Sequence, residues 1–184
     1  MELYLVRHAQ TELNLEKRIA GSQIDTLLTQ KGIDQTEKIS ERLKDENFDL
    51  ILCSPLTRTR QTLKIILENQ IENNLQFDDG LMERDWGSLS GEFHKNVDFE
   101  NLADDTEKIE DFEKRVFSTL EKYYDKNKNS KVLVVTHSGV IRAVLNKFFP
   151  RSNLIVPNVS LTVFKFCIDG NHKLILEPCD SHLN

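Results

Sequence analysis

Two kinds of apolar pattern alternate along the chain. Short continuous runs predict strands, and stretches with apolar residues every three or four positions predict helices. Leu3 to Val6 is the first such run. Thr29 to Glu46 predicts a helix, with Ile33, Thr36, Ile39 and Leu43 near helical spacing. Phe48 to Cys53 predicts a buried strand stopped by Ser54-Pro55, and Leu56 to Ile71 a helix with Leu63, Ile66, Leu67 and Ile71 facing inward. A short strand is expected near Leu75 to Phe77. Thr106 to Tyr124 gives the clearest helix. Its stripe is Ile109, Phe112, Val116, Leu120 and Tyr123, and Thr106 suits the N-cap. Lys131 to Thr136 contains Val-Leu-Val-Val, the pattern of a central strand buried on both faces. The helix Ser138 to Phe149 follows and ends at Pro150. Ser160 to Phe166 and Lys173 to Leu176 read as closing strands.

Strand and helix in alternation predict an α/β fold, a three-layer α/β/α sandwich with a mostly parallel central sheet. Ligands of such sheets sit at the carboxyl ends of the strands. Three polar clusters follow directly on predicted strand ends: Arg7-His8, Ser54 to Arg58, and His137-Ser138. They lie far apart in the chain, and this topology would bring them together.

Composition narrows the setting. The 184 residues, 39% hydrophobic and 29% charged, suit one domain across 1–184. A net charge of −6 argues against a nucleic-acid backbone as partner, although a local positive pocket could hold a small anion. No apolar run approaches membrane-spanning length, and the start reaches Arg7 too soon for a secretory h-region. Cys53, Cys167 and Cys179 are odd in number and without paired spacing. They read as reduced, structural thiols in a cytoplasmic protein, with little support for a zinc site.

The clusters carry a coherent chemistry. His8, beside Arg7 at a strand end, could attack phosphorus if its imidazole is neutral and one nitrogen is bare. Taken alone, it could equally be a buried structural histidine. Arg58, in the first turn of a helix, has a planar fork able to hold two phosphate oxygens, or it is simply solvated. Arg60 points from another helix face and reads as solvated. His137, protonated, could bind a transferring phosphoryl group with the amides that follow it, or it could cap its helix. Ester cleavage also needs a proton for the leaving oxygen and a base for water. Glu83, followed by Gly87 and Gly91, is the candidate for both tasks, with Asp85 the rival.

Taken together, these motifs resemble the histidine phosphatase superfamily, which includes cofactor-dependent phosphoglycerate mutases and many small phosphatases. The resemblance rests on Arg7-His8-Ala9-Gln10-Thr11 with Asn14, and on Gly21 to Gly32 with Asp25, Leu28 and Thr29. It continues through Ser54 to Thr62, Glu83 with Gly87 and Gly91, and Thr136-His137 with Gly139, all in the family's order. It implies a phosphoglycerate mutase-like fold, His8 as phosphorylated nucleophile, and Arg7, Arg58 and His137 as phosphate-pocket cations. It implies Asn14 as a hydrogen-bond donor, Glu83 as proton donor and acceptor, and Thr11, Gly21 and Ser138 at the substrate pocket. It implies no metal and no organic cofactor. Ala9 and Ser138 stand where the family commonly has glycine.

The phosphohistidine can pass to water, as in a phosphatase, or to a bound phosphorylated acid, as in a mutase. Glu83 and His137 are 54 positions apart, which leaves room only for the acid loop, a short lid at about 88–105 and one helix. Residues 91–113 hold nine acidic residues against Lys95 and Lys108, which disfavours gripping a second anion. Few basic groups besides Lys95 and Arg84 are in view. The favoured reading is a metal-independent phosphatase acting on a small phosphorylated metabolite, with a mutase as alternative. A non-catalytic phosphate-binding module is a third reading, disfavoured because His8 and Glu83 are both present. His94 is a further lid residue that could touch substrate. Substrate identity and oligomeric state stay open.

Overall fold

The computed structural model describes residues 1–68, 74–150 and 154–183. In chain order the principal elements are β1 (Glu2–Arg7), α1 (Glu12–Glu16), α2 (Gln30–Leu43), β2 (Leu50–Cys53), α3 (Thr57–Ile66) and β3 (Leu75–Phe77). There follow α4 (Ile109–Tyr124), β4 (Lys131–Thr136), α5 (Ser138–Phe148), β5 (Leu161–Lys165) and β6 (Lys173–Cys179). The six strands form one sheet in the order β3-β2-β4-β1-β5-β6. β1 to β4 pair in parallel, and β5 and β6 add antiparallel at one edge.

The period-two alternation of the strands sorts the core into two halves. Leu3, Leu5, Leu50, Leu52, Val132 and Val134 pack under α4 and α5 with Phe112, Val116, Leu120, Ile141 and Val144. Val6, Ile51, Cys53, Leu133 and Val135 point the other way, against Ile39 and Leu43 of α2 and Leu63 and Ile66 of α3. A sheet covered on both faces by helices is the three-layer sandwich that the alternation predicts.

Several boundaries differ from those the sequence predicts, each for a local reason. The helix over residues 109–124 starts at Ile109 with Lys108 at its cap, so Thr106 is not the N-cap. Residues 106 and 107 are bound instead to the acid loop, with the Glu107 amide donating to Asp85 O at 2.9 Å. Ile109 is 44% exposed and leaves the core stripe. β6 runs on through Pro178 to Cys179, which an edge strand permits because one side of its backbone faces no neighbour. Thr29 caps α2 by accepting from the Gly32 amide, as its position suggests. α3 ends at Ile66, and the expected inward position Ile71 lies outside the described residues.

α1, too short to show a period in sequence, is closed by a capping box. The Thr11 hydroxyl accepts from the Asn14 amide, and Asn14 Oδ1 accepts from the Thr11 amide. No helix among the described residues is long and apolar enough to cross a membrane.

Candidate active site

Strand register assembles the site. Arg7 of β1 lies opposite Thr136 of β4, and Cys53 of β2 lies opposite Val135. The next residue of each strand, His8, His137 and Ser54, therefore emerges at the same end of the sheet. The rings of His8 and His137 are 5.2 Å apart, centroid to centroid. Above them opens a cavity of about 400 Å³, whose deep end is lined by Arg7, His8, Asn14, Arg58, Glu83 and Ser138. Three sequence-distant clusters and the acid loop thus meet at one place.

His8 is held in one tautomer. Its Nδ1 lies 2.8 Å from the Ala9 carbonyl, which can only accept, so Nδ1 carries the proton and Nε2 is bare. Burial, then the charges of Arg58 and Arg7, push its pKa well below the usual histidine value. A neutral imidazole with a free Nε2 lone pair follows.

Arg58 is buried and Arg7 half-buried, yet both are partnered. Arg7 Nη1 donates to Val156 O at 2.7 Å. Burial lowers its pKa to about 10, Glu83 opposing, so it stays charged at neutral pH. Arg58 is 1% exposed and donates to Gly21 O at 2.6 Å and Ile24 O at 3.1 Å. Asp25 stands 3.6 Å from the same guanidinium and accepts from the Thr57 amide at 2.6 Å. Asp25 therefore caps α3 from a distance and orients Arg58 as well. Gly21 adopts φ of 61°, in the left-handed region, and a Cβ there would lie 3.0 Å from the Trp86 ring.

The two candidate acids lie in different places. Glu83 reaches the cavity, its carboxylate accepting from the Gly139 amide at 3.0 Å and the Arg84 amide at 3.0 Å. Asp85 lines a separate pocket, occupied with the Gly87 amide and Gln23 Nε2. Gly139 matters sterically, since a Cβ on it would sit 2.0 Å from Glu83 Oε1.

Two expected residues lie differently. Thr11 is fully buried as the cap of α1 and does not line the cavity. His137 stands behind His8 rather than in the wall, with Nε2 2.8 Å from Ser54 Oγ. Burial, then Arg58, His8 and Arg7, hold its pKa well below the usual value, so the protein's own charges favour the neutral ring over the protonated one expected.

The outer wall joins Arg84 and His94, both singled out in the sequence, with residues that pattern alone does not reveal. Arg18, Arg84 and Arg142 line it, with Trp86, Phe99 and Phe112, and Glu113 supplies one carboxylate. His94 is there too, stacked on Phe99 at 6.1 Å, whereas Lys95 lies over Phe93 away from the cavity. The segment 91–93 is tied to the chain after α1 by an Arg18–Phe93 bridge and by the Gly91 amide donating to Ile19 O at 2.7 Å. Among the described residues, no group of three or more His, Cys, Asp or Glu side chains is placed to hold a metal ion.

The model of the histidine phosphatase superfamily (branch 1) matches residues 3–176. The chain belongs to the histidine phosphatase superfamily. Among the relatives of this superfamily member is the uncharacterized phosphatase PhoE of Bacillus subtilis. It is 33% identical over 146 residues, covering 78% of this chain and 75% of that protein. The broad-specificity phosphatase YOR283W of Saccharomyces cerevisiae is 28% identical over 95% of this chain and 84% of its own. A solved structure of a phosphoglycerate mutase from Bacillus anthracis overlays with a TM-score of 0.88 at 23% identity, covering 100% of this chain and 95% of that one. That overlay establishes a phosphoglycerate mutase-like fold, and the phosphatase-named relatives support a hydrolase acting on phosphate esters.

Proposed function

We propose that the protein hydrolyses small phosphomonoesters through a phosphohistidine on His8. The observation that carries this reading is the tautomer lock, Nδ1 on the Ala9 carbonyl with Nε2 bare, in a ring kept neutral by burial and two arginines. The Nε2 lone pair forms a bond to phosphorus, and the P–O ester bond breaks. The departing oxygen keeps that electron pair and takes a proton from Glu83. Water then attacks phosphorus and gives its proton to Glu83. The P–N bond breaks, and phosphate and neutral His8 are restored. Arg7, Arg58, Asn14 and the Ser138 amide hold the phosphoryl oxygens as charge builds on them. A dianion beside His137 would favour its protonated form.

A 400 Å³ cavity suits a small metabolite. The short interval between Glu83 and His137 supports transfer to water. The mutase alternative draws its support from Arg18, Arg84 and Arg142 in the wall, which offer more positive charge than Lys95 and Arg84 alone suggested. A cytoplasmic setting belongs to the same proposal and rests on the free thiols of Cys53, Cys167 and Cys179.

The test is phosphate release from para-nitrophenyl phosphate and a panel of small monoesters, with and without a chelator. The expected result is release that survives chelation and disappears in His8→Ala together with acid-labile phosphate on the protein. Acid-labile phosphate that persists in that folded variant would remove His8 as nucleophile. Isomerised 3-phosphoglycerate with no free phosphate would select the mutase.

A further inference from the structure

The segment from Val156 to Ser160 holds none of the motifs that assemble the site, yet it grips the nucleophile strand at four points. The Val156 carbonyl accepts from Arg7 Nη1 at 2.7 Å. The Val159 amide donates to Arg7 O at 3.1 Å, and the Arg7 amide donates to Ser160 O at 3.3 Å. Asn158 Nδ2 donates to His8 O at 3.0 Å.

The same amide nitrogen donates its second hydrogen to Asn14 Oδ1 at 3.1 Å. Asn14 Oδ1 also accepts from the Thr11 amide at 3.3 Å. Two donors on one oxygen leave Asn14 a single orientation, with its own NH₂ turned from Asn158 and free to donate elsewhere. Asn14 lines the cavity beside His8. The conformation of the segment is itself costly. Val159, fully buried, adopts φ of 52°, which a β-branched residue takes only when its surroundings compel it.

We propose that Asn158 is a positioning residue that fixes the His8 backbone and turns the amide of Asn14 toward the phosphoryl oxygens. The inference rests on the reading of the cavity as a phosphate site. It assigns to Asn158 no contact with substrate. Its action runs through two residues, one that attacks phosphorus and one that donates to its oxygens.

Asn158→Asp is the informative change because it keeps the shape and removes both donors. The new carboxylate would face two acceptor oxygens, the His8 carbonyl and Asn14 Oδ1. Asn14 then gains by flipping its NH₂ toward Asp, which presents its oxygen to the phosphate. Asn158→Ala removes the donors without forcing the flip. Misplacement of reacting groups by about 1 Å can cost on the order of 100-fold. The expected losses in kcat/KM on para-nitrophenyl phosphate are about 100-fold for the Asp variant and about 10-fold for the Ala variant. In an Asn14→Ala background, the extra loss of Asp over Ala should vanish, since no amide remains to flip.

A readout that needs no turnover separates this inference from the catalytic one. Inorganic phosphate, titrated by calorimetry, should bind the wild-type chain and bind the Asp variant at least tenfold more weakly. Should the wild type bind phosphate but form no phosphohistidine, the mechanism on His8 fails while the orientation of Asn14 is still tested. Circular dichroism checks that each variant is folded. An unfolded Asp variant shifts the decision to Asn158→Ala, whose loss must then appear in phosphate affinity and shrink in the Asn14→Ala background. Folded variants with wild-type phosphate affinity, or losses that simply add in the Asn14→Ala background, overturn the proposal.

Discussion

The deep end of the cavity and its mouth are built on different principles. At the deep end the charged groups are buried or half-buried, and each is committed to a partner. Arg58 is held by Gly21, Ile24 and Asp25, Arg7 by Val156, and Glu83 by two backbone amides. At the mouth the grip is uneven, for Arg18 donates to Gly91 O and Arg84 donates to Glu107 O at 2.7 Å. Arg142 is exposed and makes no hydrogen bond or ion pair among the described residues, although its charge still bears on Arg7 and His94. Preorganised groups suit the constant part of a reaction, the phosphoryl transfer. An exposed, uncommitted group such as Arg142 of α5 suits the variable part, the organic half of the substrate.

The sharpest way to break this comparison is to disturb one committed contact without harming the fold. Gly139→Ala places a methyl on the Glu83 carboxylate, which is the far end of a flexible side chain and can swing away. Stability should hardly change. Loss of positioned acid–base catalysis costs on the order of 10²-fold or more, so kcat for esters with poor leaving groups should fall about 100-fold. Esters with good leaving groups should suffer less. Equal losses on both, in a folded variant, would mean that Glu83 positions substrate rather than transferring protons.

A pH experiment sharpens the same contrast. His8 and His137 are both held neutral in the folded chain, well below the ordinary value of 6.5. The unfolded chain takes up these protons as pH falls through about 6.5, and the folded chain does not. The stability contributed by the two neutral rings is therefore fully present above that pH and is lost below it. The slope is bounded by about 1.4 kcal/mol per pH unit for each ring. Thermal melts from pH 7 to 5.5 should show a falling midpoint, and His8→Asn should flatten the fall. His94, exposed at the cavity wall, should change the slope far less when replaced by Asn. A wild-type midpoint that is level over this range would contradict the buried neutral pair.

How much of this was legible in the sequence follows from the same division. The deep end sits on strand ends, where apolar runs stop and a polar residue must follow. Arg7-His8, Ser54 and His137 were readable for that reason. Asn158 was not, and Asp25 appears in a motif without its role, because their work depends on tertiary neighbours, one bonding to His8 across 150 positions and the other capping α3 from 32 away. The resemblance places Thr11 at the pocket, and only the short helix α1 explains why its hydroxyl turns inward. Thr106 misled because cap chemistry is local while the bond between Glu107 and Asp85 is not. The mouth was least legible. Counting charges along residues 91–113 missed Arg18 and Arg142, which arrive from the turn after α1 and from α5 respectively.

Arg142 carries the smallest expected effect and separates the two regions most cleanly. An exposed charge pair is worth up to about 1 kcal/mol, or roughly fivefold in affinity. Arg142→Gln should therefore raise KM by about fivefold or less, and only for monoesters whose organic half bears a second negative charge, such as 3-phosphoglycerate. The KM for para-nitrophenyl phosphate should stay level, because its ring offers no anion to the mouth. In both cases kcat should hold, since uniform binding energy lost from ground and transition states leaves the chemical step unchanged. A fall in kcat on both substrates would show that Arg142 reaches the phosphoryl group through Arg7. The mouth would then belong to the catalytic apparatus, and the division between a committed deep end and an adaptable rim would not hold.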